Sequence, residues 1–328
     1  MNIASPRLRG GGRTAALACV AVLAAGAALL TGACGSSEQT TSASPSPSAA
    51  AVTTDAGFVV TTGPALNALL PESIRTSGIL RVATNMPFPP WEMYVEEGSE
   101  QATGFDYDLG QALAAKLGVK MSFDQNPFDA IIPALQADKE DLVIAAMGDT
   151  KEREAVLSFV NYAYDSTGIM VVKGNPEGIT SLDSLSGKTV ATQSGSQQVE
   201  TLTKKNAELK AAGKPEIKVL KFPGESDVFL ALKSGKSDAV ALGYFALGYA
   251  AKTYDDGAAF EVIKDPANPD GYDASMVGVG IPKEDTQLVE AVQKALQALI
   301  DDGTYQKIGD AWGMPAMVKE ALVNEGSY

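Results

Sequence analysis

The chain has 328 residues, of which 45% are hydrophobic and 20% are charged, and its formal net charge at neutral pH is −14. Such a chain can build one large or two medium globular domains. Its acidic balance argues against nucleic acid or an anionic membrane surface as a partner.

Residues 1–33 are predicted to be a signal peptide. Three arginines precede an apolar run at residues 15–30, which is short for a membrane-spanning helix and typical of a secretory signal. The small residues before Cys34 resemble a bacterial lipobox, in which Cys34 is lipidated and becomes the mature N-terminus, although Thr31 departs from the usual aliphatic residue. Cleavage at the neighbouring small residues, with release of a free product, is the alternative. Cys19 would leave with the signal, so no disulfide is expected in the mature chain.

Residues 34–57 are predicted to be the lipidated cysteine followed by a disordered tether. This segment is rich in serine, threonine and proline and holds almost no large apolar side chains, so burial cannot offset the entropy lost on ordering. A flexible spacer behind a lipid anchor would keep the folded part near the outer face of the cell membrane. The predicted location is therefore extracytoplasmic, with attachment through the lipid alone.

Residues 104–153 are predicted to form a helix, a strand, a second helix and a buried strand, followed by a loop. Asp106 is predicted to cap a helix that ends at Gly118. Residues 141–147 form an almost unbroken apolar run, typical of a strand buried on both faces of a mostly parallel sheet. A turn and a helix over residues 151–157 should follow. Arg153 then lies beyond the carboxyl end of a strand, where open α/β sheets bind ligands and anions.

The rest of the chain continues to alternate strands and helices. Strands are predicted over residues 188–193, 216–222 and 237–243, with helices over 197–212 and 227–233. This order predicts the α/β class and two α/β lobes.

Several segments, in this order and spacing, resemble the family 3 solute-binding proteins, which are the polar amino-acid receptors of ABC importers. The matching segments are residues 79–93, 103–119, 128–154, 185–200, 231–242 and 279–312. The resemblance covers roughly residues 75–320. It implies a periplasmic-binding-protein-like fold, with one lobe at residues 58–166 plus 276–328 and the other at 167–275. Two crossings, near 166–168 and 274–276, would form the hinge.

The function implied by this resemblance is capture of an amino acid or a related small carboxylate by hinge closure. The loaded monomer would deliver its ligand to a membrane permease and the ATPase that drives it. Neither a cofactor nor a metal is expected, because the sequence holds no cluster of metal-ligating residues.

The resemblance also implies the ligand contacts. Arg153 would grip the ligand carboxylate, a task that suits the planar and permanently charged guanidinium. The other implied contacts are the backbone groups of Ala146 and Gly148, the apolar walls Phe88 and Phe128, and Ser196 and Gln197 at a helix N-terminus of the second lobe. Each has an ordinary alternative: an arginine paired with Glu152 or Glu154, a turn glycine, core aromatics, a helix cap. Trp91 and Trp312 are assigned to the core.

One position departs from the family pattern. The family's strand corresponding to 238–243 ends in an acid that neutralises the ligand's ammonium group, and this chain has Gly243 there. Asn85 also replaces an acid found in many relatives. Because an unpaired buried ammonium is unfavourable, another acid such as Asp165 or Glu225 must substitute, or the ligand need not be a standard α-amino acid. Tyr244 is the predicted new contact.

Two other functions are compatible with the sequence. The fold is similar to secreted cyclohexadienyl dehydratases, in which a carboxyl in the cleft is a general acid. The sequence contains no histidine, so proton transfer would depend on carboxylates or tyrosines. A receptor that signals without transport would need a separate membrane partner.

Overall fold

The structure is a computed structural model that describes residues 50–96, 98–314 and 318–326. The predicted signal peptide, Cys34 and the tether up to residue 49 lie outside the described residues. Among the helices of the described part, none combines the length and the apolar character needed to cross a membrane.

The described residues form thirteen strands, most of them short. They are β1 Ala51–Thr53, β2 Val59–Thr61, β3 Ile79–Thr84, β4 Met93–Tyr94, β5 Ala102–Thr103, β6 Lys120–Gln125, β7 Leu142–Val143, β8 Leu157–Val172, β9 Thr189–Gln193, β10 Lys218–Phe222, β11 Ala239–Gly243, β12 Phe260–Val262 and β13 Tyr272–Pro282.

Nine α-helices lie in the same described ranges. They are α1 Pro64–Asn67, α2 Glu72–Ser77, α3 Phe105–Leu117, α4 Ile131–Gln136, α5 Gln197–Ala211, α6 Glu225–Lys233, α7 Tyr244–Thr253, α8 Thr286–Asp301 and α9 Thr304–Ala311.

Nine of the described strands join in one mixed sheet with the order β10-β9-β11-β8-β13-β7-β3-β6, and β12 pairs with the end of β8. We call β6, β3 and β7 the β3 end of the sheet, and β9, β10 and β11 the β9 end. Strands within each end run parallel. The mixed α/β class predicted from the sequence is confirmed.

The two ends of the sheet meet at β8 and β13, which are antiparallel neighbours. These two strands pass through both predicted crossings, where Ser275 pairs with Asp165 and Met276 with Tyr164. The register shifts between Tyr272 and Ser275, so the ladder is interrupted at this point.

Helices cover both faces of each end of the sheet. At the β3 end, Val82 packs in a cluster with α3 and α8, while its neighbour Ala83 packs in another cluster with α4. At the β9 end, Val240 packs in a cluster with α6 and α7, whereas Ala241 packs in a cluster with α5. Because successive side chains of a strand point to opposite faces, each end has apolar cores on both faces.

Helix α3 differs from its prediction at its start. Gly104, not Asp106, is the residue before the first helical turn, and no side chain caps this end. The predicted cap at Asp106 is wrong because that carboxyl is buried and bonds elsewhere in the fold. The predicted end is confirmed: Gly118 has a left-handed backbone with a φ of 67°.

The segment around Arg153 is less regular than predicted. Most of residues 141–147 are buried, but only Leu142–Val143 pairs as strand β7. The helix predicted over 151–157 is wrong: Arg153–Ala155 forms one 3-10 turn, and β8 begins at Leu157. The chain leaves the helical path because residues from Leu157 onward pair with β13.

Part of the predicted tether is ordered. Ala51–Thr53 forms β1, in which Val52 pairs with Val60 of β2. This hairpin places regular structure before residue 58, the predicted start of the first lobe.

Candidate ligand-binding site

A small cavity, which we call the cleft, lies where the two ends of the sheet meet. Its volume is about 40 Å³. It brings together predicted contacts from both ends of the sheet, namely Phe88, Phe128, Ala146, Gly148, Arg153, Ser196 and Gln197. The predicted clustering of these residues therefore appears in the structure, while their contact with a ligand stays a prediction.

Arg153 provides a buried positive charge in the cleft, with only 6% of the residue exposed. Its Nη1 donates to the carbonyl of Gly148 at 2.7 Å, and its Nη2 donates to the carbonyl of Gly195 at 2.9 Å. Its guanidinium carbon lies 5.6 Å from the centre of the Phe128 ring. Burial lowers the pKa of Arg153, and the charges of nearby carboxylates, Glu200 first, oppose this shift.

No carboxylate of the described residues lies within ion-pair distance of the Arg153 guanidinium. Glu152 and Glu154 were the alternative partners, and Glu154 instead pairs with Lys151 at 2.8 Å. A buried guanidinium that bonds only to carbonyls remains able to bind an anion with a stronger, charge-assisted pair.

Ala146 lies on the same loop in a conformation that is unusual for a residue with a Cβ. Its φ is 46°, in the left-handed region. The N–H of Ala146 donates to Oδ2 of Asp106 at 2.6 Å, and the hydroxyl of Tyr162 donates to Oδ1 of the same carboxyl at 2.8 Å. The Asp106 carboxyl thus holds the strained turn of the cleft wall, a role that local sequence did not indicate.

The β9 end contributes the start of α5. Ser196 directly precedes this helix, but its hydroxyl donates to the carbonyl of Gln193 at 2.8 Å and does not cap the helix. The side chain of Gln197 donates to the carbonyl of Asp273 at 2.6 Å. Its Oε1 lies where a Cβ on Gly148 would come within 2.5 Å, so any side chain at position 148 would clash with it.

A polar contact also joins the two ends of the sheet across the cleft. Gln193 at the end of β9 donates to Oδ1 of Asn85 at 2.6 Å. Asn85 in turn donates to the carbonyl of Asn126 at 2.6 Å. Together with the bond from Arg153 to Gly195, this contact closes the cleft between the two ends.

Asp165 occupies the space beside the glycine that replaces the expected acid. A Cβ added to Gly243 would overlap Oδ2 of Asp165. Oδ1 accepts hydrogen bonds from the backbone N–H groups of Ser166 at 2.8 Å and Tyr244 at 3.0 Å, with a longer one from Phe245 at 3.4 Å. Burial raises the pKa of Asp165 to about 7, and these N–H groups limit the rise. Asp165 and Gly243 both line the cleft.

The other candidates lie elsewhere. Tyr244 lines a neighbouring cavity and not the cleft. Glu225 is 2% exposed and lies outside the cleft lining. Trp91 is fully buried, as predicted, whereas Trp312 is half-buried and its indole N–H donates to Asp108 at 2.7 Å.

The family model of the bacterial extracellular solute-binding proteins, family 3, matches residues 80–315. The chain belongs to this family. Its role as a solute-binding protein agrees with a cleft that joins two α/β halves around a buried charge.

Several relatives of this solute-binding protein are named as amino-acid-binding proteins. The arginine-binding protein ArgT of Corynebacterium glutamicum is 29% identical over 265 residues, which are 80% of this chain and 83% of the relative. The solved substrate-binding protein of an amino acid ABC transporter is 30% identical, with a TM-score of 0.62, and the match covers 71% of this chain and 98% of that structure.

A third relative links the fold to catalysis. The ancestral amino acid-binding protein AncCDT-1, described as a precursor of cyclohexadienyl dehydratase, is 31% identical with a TM-score of 0.64. The match covers 74% of this chain and 98% of that structure. Like the others, it is a binding protein.

Asn161 of this solute-binding protein ties the Arg153 loop to the C-terminal segment. Its side chain donates to Oδ2 of Asp149 at 3.0 Å, and its Oδ1 accepts from the N–H of Glu325 at 3.2 Å. Its backbone N–H donates to the carbonyl of Leu322 at 2.9 Å. The segment around residue 323 thus covers the edge of β8 directly beside the loop that positions Arg153.

Replacing Asn161 with alanine is therefore expected to weaken ligand binding severalfold as well as stability. The free energy of unfolding should fall by about 2 kcal/mol, because a buried carboxyl loses its donor. Asn206→Ala is the matched control: Asn206 bonds both backbone groups of Ile217, away from the cleft. Urea unfolding should show that the two variants are destabilised by similar amounts. Calorimetric titration should show a lower ligand affinity in Asn161→Ala and an unchanged affinity in Asn206→Ala. Equal ligand affinities in the two variants would show that the C-terminal segment does not influence ligand binding in the cleft.

The buried carboxyl of Asp106 predicts a dependence of stability on pH. Burial raises its pKa to about 7, although hydrogen bonds from Ala146 and Tyr162 lower it. Burial, and then the charge of Asp106, raise the pKa of Glu92 well above its usual range. Between pH 4 and 7 the folded state thus holds protons that the unfolded state releases, so stability should fall as pH rises through this window.

Urea unfolding between pH 5 and pH 8 measures this effect. We expect a loss of roughly 1–3 kcal/mol for each such carboxyl, and therefore a smaller total loss in Asp106→Asn. The variant should retain part of the dependence, because Asp149 and Asp165 also have pKa values of about 7. Asp227→Asn, which changes an exposed carboxyl on α6, should keep the full dependence. A stability that rises over this range would contradict the assignment.

Proposed function

We propose that the protein captures an α-amino acid in the cleft, with Arg153 binding the carboxylate and Asp165 binding the ammonium group. The observation that supports this most directly is the pair itself. A buried guanidinium and a carboxyl line one cavity, and the described residues provide neither with an ion-pair partner. An α-amino acid carries the two complementary charges on adjacent groups.

Asp165 supplies the acid that the sequence lacks at Gly243. The two residues compete for one space, since a side chain at position 243 would overlap the Asp165 carboxyl. An acid moved from one strand end to the neighbouring strand can serve the same ammonium. The ordinary α-amino acid ligand therefore becomes the better supported choice over a carboxylate without an amine.

Capture requires the cleft to open. A volume of 40 Å³ holds only a few water molecules and is too small for an amino acid. We infer that the lobes at 58–166 plus 276–328 and at 167–275 separate about β8 and β13. Opening would break the bonds from Gln193 to Asn85 and from Arg153 to Gly195, and the ligand would replace the second of these.

We further propose that the protein serves an ABC importer. The relative that belongs to an amino acid ABC transporter supports a permease and its ATPase as partners. In this proposal the protein is a monomer, exported by the signal peptide at residues 1–33 and anchored outside the cell membrane by a lipid on Cys34. Its role is to bind rather than to convert the ligand.

A dehydratase is the second candidate, because one observation favours it. Asp165 lines the cleft with a pKa of about 7, which suits a general acid near neutral pH. The relative described as a precursor of cyclohexadienyl dehydratase has the same fold. Turnover of a cyclohexadienyl substrate that is lost in Asp165→Asn would favour this reading over simple capture.

A thermal-shift screen of the full chain tests the proposed function. The panel contains the standard amino acids and, for each, the analogue without the amine and the analogue without the carboxylate. Any ligand that binds only the folded state raises the melting temperature. We expect an α-amino acid to give a shift that neither analogue matches. Responses only to the analogues without the amine, or only to the analogues without the carboxylate, would overturn the proposal.

A further inference from the structure

A second cavity, of about 430 Å³, adjoins the cleft and shares Asp165 and Ser166 with it. We call it the hinge pocket. Its volume is typical of small-molecule sites, which combine aromatic walls with a few polar groups. The aromatic residues that line it are Tyr164, Tyr244, Phe245, Tyr249 and Trp312.

The walls of the hinge pocket come from both ends of the sheet. Tyr244, Phe245 and Tyr249 lie on α7, which packs at the β9 end. Trp312 follows α9 and packs against the core of the β3 end. A molecule in the pocket would therefore contact both sides of the proposed hinge at once.

The charged groups of the pocket favour a cation. Asp165 and Asp270 place two carboxyls in its lining, against the single ammonium of Lys252 among the described lining residues. The backbone donors of Asp165 all reach Oδ1, which leaves Oδ2 as the oxygen without a backbone donor. Aromatic faces attract cations, and a carboxyl adds a direct charge pair.

We propose that the hinge pocket binds a protonated aromatic amine, whose ring packs among the aromatic side chains and whose ammonium lies at Asp165. Because the cleft uses the same carboxyl, the amine and the cleft ligand bind antagonistically. This antagonism rests on the proposed function of the cleft, whereas the pocket itself does not.

Gly248 allows the pocket to be filled by mutation. It lines the pocket, and a Cβ added there meets no atom within 4 Å. It also lies within α7, where any other non-proline residue favours the helix more than glycine does. Gly248→Trp should therefore block the pocket, and Gly248→Ala is the matched control that leaves most of the space open.

The two tryptophans of the chain give a local readout. Trp312 lines the hinge pocket, whereas Trp91 is fully buried in the core. We propose to titrate the full chain, labelled with 15N, with 2-phenylethylamine and to follow the two indole N–H resonances. The Trp312 resonance should move with saturation, whereas the Trp91 resonance should move less, because the Trp91 ring reaches the pocket only indirectly, through its edge-on contact with Phe245. The neutral analogue 2-phenylethanol should bind at least about tenfold more weakly, because it lacks the charge.

The variants separate this site from the cleft. Gly248→Trp should weaken binding of the amine at least about tenfold, and Gly248→Ala should change the affinity for the amine less than about threefold. Arg153→Ala should still bind the amine with unchanged affinity, because Arg153 lines the cleft and not the hinge pocket. Asp165→Asn is the second variant and should lose amine binding. This test remains valid even if Gly248→Trp fails to fold.

Several results would overturn the inference. They are no response of Trp312 up to 10 mM amine, equal binding of amine and alcohol, or full binding in Gly248→Trp. Loss of the amine in Arg153→Ala would place it in the cleft instead. Failure of the amino-acid screen together with a saturating Trp312 response would reject the proposed function and keep the hinge pocket.

Discussion

Replacing Arg153 with alanine should weaken binding of the cleft ligand at least about 30-fold, which corresponds to roughly 2 kcal/mol or more. The loss follows from the burial of the guanidinium, since a carboxylate that enters the cleft has no other described cation to pair with there. Arg153→Lys should recover only part of the affinity, because an ammonium keeps the charge but not the two parallel donors. Calorimetric titration with the best ligand of the screen measures both variants.

Arg75→Ala is the control for the loss of one positive charge. Arg75 is exposed on α2, at the β3 end of the molecule. Its removal should leave the dissociation constant unchanged within a factor of two. Arg153→Ala with a dissociation constant within threefold of the wild-type value would show that the anion site lies elsewhere.

Replacing Asp165 with asparagine should weaken binding of an α-amino acid at least about 30-fold. Binding of the analogue without the amine should be almost unaffected. Asparagine keeps the size of the side chain and an oxygen that can accept from Ser166 and Tyr244, so the strand end should stay intact. The difference between the two ligands isolates the charge pair. Equal losses for both ligands would indicate a structural role, and the pair would then be rejected.

The same residue predicts how affinity changes with pH. Because the pKa of Asp165 is about 7 in the empty cleft, its carboxyl is largely protonated below this value. The ammonium group prefers the ionised form, so binding should weaken as pH falls, by up to about tenfold per unit below pH 7. Titrations between pH 5.5 and pH 8.5 should show this slope in the wild type and a flat profile in Asp165→Asn. A slope that persists in the variant would assign the titration to another group.

Much of the fold could be predicted because its local signals agree with its packing. Helix α5 was predicted over 197–212 and spans Gln197–Ala211, and β9 lies within its predicted range. Each has an apolar face that meets a core. The clustering of the cleft residues could also be predicted from the sequence, because the turn after β7 and the turn after β9 lie at strand ends that face each other.

The errors have a common physical cause. Asp106 has the residue type and position of a helix cap, but tertiary bonds from Ala146 and Tyr162 use its carboxyl. Residues 151–157 were predicted to form a helix after the turn, but pairing with β13 extends the chain from Leu157. Asp165 was one of two candidate acids, and only the pairing of β8 with β11 brings it beside Gly243. Contacts between residues distant in sequence decided each case.

The two carbonyls that hold Arg153 belong to different segments of the chain, Gly148 beside β7 and Gly195 beside α5. An entering anion must replace at least one of these hydrogen bonds to gain from the guanidinium. A carboxylate has two oxygens that can accept from both nitrogens at once, in a charge-assisted pair that is stronger than a bond to a carbonyl. The two carbonyls therefore set a threshold for entry: an anion gains from the guanidinium only if it returns more hydrogen bonding than it removes.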